Sequence, residues 1–281
     1  MGSQYRHEVS KYEKKDALIA LCFYAYVCAV LYLFGTLDRL FDRSLGDFAL
    51  HLISTGLIVV PCFVLILLRK QGIASIGIHT RNLGPALRAG LLLSVLVLLL
   101  RSILPGLISG LELQPFSHII YMLFLCVTVA ILEDTMFTGY IQTRIYGLIK
   151  NDLAAVLTVA FLFAFLHIIS MAGFFGASAF GSIFSWAMLF WIAMHIIWNL
   201  LFRRYFSLFP ITMLHIAWNF GSPGSIFIQD EHVIHLYPFP ALLLAMAIWL
   251  LSIHRRGRKG SRKASITELN HRNYIQQRQE R

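Results

Sequence analysis

Long apolar runs alternate with short polar breaks along this chain. A helix needs about 20 apolar residues to cross the hydrocarbon layer of a bilayer. On that rule the pattern predicts eight membrane helices: Ala17–Leu37, Phe48–Leu68, Ala86–Leu104, His118–Tyr140, Leu153–Ile169, Ile183–Phe202, Pro210–Phe220 and Pro238–Ile253. The seventh is too short to span alone unless Tyr205 to Leu208 or Ser222 to Ile228 extends it. No polar stretch is long enough to fold separately. The expected organisation is therefore one all-α, polytopic bundle over residues 17–253, between a polar cytoplasmic lead at 1–16 and a basic cytoplasmic tail at 254–281. The first apolar run lacks a small-residue cleavage site and reads as a retained helix, not a signal peptide. The stretch Gln71 to Pro85, rich in Gly and Pro, reads as an interfacial connector.

Composition agrees: 58% of residues are hydrophobic and 14% charged, against roughly 25% charged in soluble domains. The net charge of +10 sits largely in the last thirty or so residues and at the ends of apolar runs. That distribution points to anionic lipid headgroups as partners and away from nucleic acid. Arg69, Lys70, Arg81, Arg144, Lys150, Arg203 and Arg204 all fall on the side of the termini, so the positive-inside rule predicts both termini in the cytoplasm. Cys22, Cys28, Cys62 and Cys126 lie in apolar runs without metal-site or disulfide spacing.

A few polar side chains interrupt the apolar runs. Glu133 and Asp134 are adjacent in the fourth span, where a charged side chain costs roughly 2.5–3.5 kcal/mol near the bilayer centre and so faces a cavity or a partner. The competing reading places this pair at the helix end, neutralised by Arg144 and Lys150. Phe163 and His167 are four apart on the fifth span and share a face. Measured from the turn near Lys150 to Asp152, Glu133 and His167 reach similar heights on adjacent antiparallel helices. His215 and Asn219 repeat the spacing on the seventh span, and His195 and Asn199 on the sixth. One of these pairs is expected to bridge helices, and His215 with Asn219 is preferred as the functional pair. A carboxylate base, imidazoles and an amide in a low-dielectric interior suffice for hydrolysis. Ser170, Ser178, Ser182 and Ser185 lack a nucleophile-elbow setting. A divalent metal on Glu133, His167 and His215 is a minor alternative; otherwise no cofactor is expected.

In order and spacing these residues resemble the CAAX protease and bacteriocin-processing family of intramembrane glutamic proteases, also labelled abortive-infection proteins. The resemblance runs from about Tyr121 to Phe220. Its first motif matches Glu133, Asp134, Thr138 and Gly139; its second Phe163 and His167; its third His215 and Asn219. The resemblance implies a mostly eight-helix bundle with a cytoplasm-facing cavity in the plasma membrane of a prokaryote. There Glu133 and His167 would activate water, and His215 and Asn219 would stabilise the oxyanion. The substrate would be a peptide or a lipidated protein. Two departures stand out. Asp134 replaces a glutamate, and Thr138 replaces an arginine whose charge Arg144 or Arg101 would have to supply. The alternative is a binding, immunity or scaffold protein of the same fold with weakened chemistry.

Overall fold

The computed structural model describes residues 2–40, 47–176, 178, 181, 186–222 and 224–228. The predicted span Pro238–Ile253 and the tail 254–281 lie outside them. Described residues build eight helices: α1 Ser3–Val9, α2 Lys14–Leu40, α3 Asp47–Leu68, α4 Leu83–Ile108, α5 Phe116–Gly147, α6 Asp152–Phe175, α7 Trp186–Tyr205 and α8 Phe209–Phe220. Of these, α2, α4, α5 and α6 are long and apolar enough to cross a membrane, and Leu52–Leu68 within α3 is a shorter apolar helix. The protein is thus an all-helical integral membrane protein, with four candidate spans among its described residues.

Local sequence sets the helix limits. Asn151 caps α6, its side chain accepting from the Ala154 amide at 3.0 Å, and Gly176, at φ 84°, ends that helix beyond the predicted Ile169. In α4, Pro105 has no N–H to give to Arg101, and the helix widens into a π turn over Leu99–Ile103. A second π turn, Asp134–Ile141, begins immediately after Glu133 in α5. Such turns recur at functional sites. The polar lead includes an ordered helix: Tyr5 of α1 is fully buried and packs edge-on against Tyr146, Phe202 and Phe206. Burial pushes the Tyr5 phenol well above its usual range, so it stays protonated.

α2 and α6 run side by side in the same direction. The Tyr24 hydroxyl donates to the Leu162 carbonyl at 3.0 Å, and a Cβ on Gly35 would lie 2.9 Å from the Phe174 amide nitrogen. These helices therefore meet backbone to backbone, the approach that small residues permit in membranes. α8 packs on α4 and α5, with Gly90 of α4 against Pro210. Too short to span, α8 carries its polar residues into the middle of the bundle.

Candidate active site

The acids of α5 face inward. The Glu133 side chain is 16% exposed and that of Asp134 is 1% exposed. From α6, His167 presents Nε2 at 3.9 Å from Glu133 Oε1. Its Nδ1–H donates to the Phe163 carbonyl at 2.9 Å, which orients the ring with Nε2 on the Glu133 side. This is the physical content of a Phe and a His four apart. The Phe163 carbonyl orients the imidazole, while its ring packs 4.6 Å from the His167 ring. From α8, the buried His215 presents Nε2 at 3.7 Å from Glu133 Oε2 and Nδ1 at 3.1 Å from Asp134 Oδ1. A His215 carrying both ring protons complements the two carboxylates.

Glu133, Asp134, His167 and His215 are therefore linked in a chain of contacts each under 4 Å, with Phe163 buried beside them. Asn219, one turn beyond His215, is half-buried and makes no hydrogen bond to Glu133, Asp134 or His167. Thr138 is fully buried, and its hydroxyl has no protein partner. Arg144 does not reach the acids: its guanidinium is held by Gln71 and Ser75 at 2.7 Å each and lies over the Tyr12 and Tyr140 rings. Arg101 donates to Ser222 at 3.1 Å and lies over Trp218. The basic group facing both acids is His215. Among the described residues, no group of three or more His, Cys, Asp or Glu side chains has metal-binding geometry.

The second His and Asn pair bridges helices. Asn199 Nδ2 donates to Gln142 Oε1 at 2.8 Å and to His195 Nε2 at 3.1 Å, joining α7 to α5, while the His195 ring stacks 4.7 Å from Phe163. We expect Asn199→Leu to cost about 1–3 kcal/mol, because Gln142 Oε1 loses a buried donor. Denaturant unfolding in detergent measures this, and an unchanged midpoint would show that the bridge contributes nothing. Two residues escaped the sequence reading: Trp191 stacks 4.7 Å from His167, and Trp198 stacks 4.1 Å from His215. The available signal was the i, i+4, i+7 spacing of Trp191, His195 and Trp198, which puts all three on one helical face.

A cavity of about 620 Å³ opens beside Glu133 and His167, between α2, α3, α5 and α6. Its wall is mostly apolar, with Leu31, Phe34, Leu125 and Val129 along its length. It extends from the acids toward the ends of α2 and α6 that are remote from α1.

Residues 115–221 match a family model described as type II CAAX prenyl endopeptidase Rce1-like. This segment is similar to the CAAX prenyl endopeptidase family. The matched segment runs from Pro115, which precedes α5, to Gly221, which follows α8, and so contains Glu133, His167 and His215. No curated protein and no solved structure matches the chain.

Proposed function

We propose that this protein is a membrane-embedded peptidase of the CAAX type, in which Glu133 and His167 activate a water molecule for attack on a peptide carbonyl. The observation that carries the reading is the placement of the Glu133 carboxylate between two imidazole Nε2 atoms, at 3.9 and 3.7 Å. Such spacings are too long for direct hydrogen bonds but suit a water bound to both Glu133 and His167. Glu133 takes a proton from that water, and the hydroxide adds to the carbonyl carbon. The resulting oxyanion is met by His215, with Asn219 as second donor. Collapse of the tetrahedral intermediate breaks the C–N bond, and the proton held by Glu133 passes to the leaving amine. Asp134 acts on His215, holding Nδ1–H so that Nε2 points toward the reacting atoms. Water exclusion by the surrounding aromatic rings strengthens each of these interactions.

The substrate is a peptide or lipidated protein reached from the bilayer, and no cofactor enters the scheme. The test is cleavage of a quenched fluorogenic or prenylated peptide by the purified protein in lipid nanodiscs. Turnover is expected to persist with chelators and with serine- and cysteine-modifying reagents, and to fall by about 10²-fold or more in His167→Ala. Full turnover by His167→Ala would remove this histidine from the mechanism, and inhibition by chelators reversed with a divalent metal would replace the scheme with a metal-dependent one.

A further inference from the structure

The far end of the cavity carries a carboxylate that the scheme above does not use. Asp38 lies near the end of α2, is 6% exposed, and lines the cavity. Its Oδ1 has no hydrogen-bond partner, and no described cation pairs with it. The adjacent Arg39 guanidinium lies against Gly176 and makes no ion pair with Asp38. A buried carboxylate with an unpartnered oxygen and no cation among the described residues is unfavourable in a membrane interior. The wall around it is mostly apolar, the setting in which a few placed polar groups orient a ligand.

Its distance from the reacting groups follows from helix register. Tyr24 meets Leu162, 138 positions later, and Gly35 meets Gly173 at the same offset, so Asp38 is level with Gly176, nine residues beyond His167. At ~1.5 Å per residue this is about 13 Å along the cavity, the reach of about four residues of extended peptide.

We propose that Asp38 forms a distal subsite for a cationic group, a Lys or Arg side chain or a free amino terminus, carried by an apolar peptide about four residues from the bond that is cleaved at Glu133. The inference rests on the peptidase reading for the cleavage, but the subsite is measurable by binding alone. The Glu133→Gln protein in nanodiscs, titrated with a fluorescently labelled, end-capped peptide of Leu, Val and Ala carrying one Lys, is expected to bind it about tenfold more tightly than the same peptide with Gln, the effect of one charge-assisted hydrogen bond. Adding Asp38→Asn brings that ratio to within about twofold of unity. The ratio is taken within each protein preparation, so a general loss of binding does not mimic the result. Equal affinity for the two peptides in the Glu133→Gln protein overturns the subsite, as does a preference for Lys that survives Asp38→Asn. In the unsubstituted protein, cleavage of both peptides with the same KM also overturns the subsite while leaving the peptidase reading intact. Lys-selective binding that Asp38→Asn abolishes, with neither peptide cleaved, supports the subsite and removes the peptidase reading.

Discussion

Glu133→Gln should lower peptide hydrolysis by about 10²–10⁴-fold while leaving the fold in place. The amide has nearly the size of the carboxylate and can still lie between His167 and His215, but it cannot accept a proton from water. Because Glu133 and His167 act on one water, their effects should not add. The Glu133→Gln/His167→Ala double variant is expected to retain about as much activity as Glu133→Gln alone, since groups acting as a unit lose their function together. Cleavage rates per mole of folded protein, with unfolding midpoints measured alongside, check both statements. Undiminished turnover by Glu133→Gln would eliminate this carboxylate as the base.

The second large effect concerns stability. His215→Ala removes the basic side chain that, among the described residues, is in contact with both acids and the ring that stacks on Trp198. What remains is a pair of adjacent inward carboxylates, one of them with an oxygen that already lacks a protein partner. Breaking a buried charged pair by removing one partner costs about 3–5 kcal/mol, and a comparable loss is expected here. Asp134→Asn in the same background should restore part of that stability, because one of the two like charges is gone, without restoring hydrolysis. Chemical denaturation of the single and double variants in detergent gives the comparison. A His215→Ala protein as stable as the parent would mean that the charges are not opposed as the geometry indicates.

Several parts of this arrangement were legible in the chain. Continuous apolar runs locate α2 to α8, because span length and hydrophobicity are properties of contiguous residues. The approach of Glu133 to His167 was also readable, since both heights can be counted from one tight turn. Helix rotation was not. The roles of His195 and His215 depend on which way α7 and α8 turn, and the same His and Asn spacing bridges two helices in one case and faces the acids in the other. Arg144 illustrates the same limit. Sequence proximity made it a candidate partner for the acids, yet its guanidinium is satisfied by Gln71 and Ser75 of the connector between α3 and α4. Asp38 lies one residue past Leu37, the predicted end of the first span, and nothing along the chain reveals that α2 continues to Leu40 and that this carboxylate lines the cavity.

The glycine contact between α2 and α6 determines what in this molecule can change easily. Gly35 and Gly173 lock the two backbones in register, and Asp38 and His167 ride on those backbones. Side-chain replacement can widen or narrow the chamber at Leu31, Phe34, Leu125 or Val129 while the helices stay where they are. The span from Asp38 to His167 has no such freedom, since altering it requires sliding one helix past the other by a whole turn. Variants of this scaffold should therefore diversify readily in the girth of the molecules they admit and hardly at all in their length.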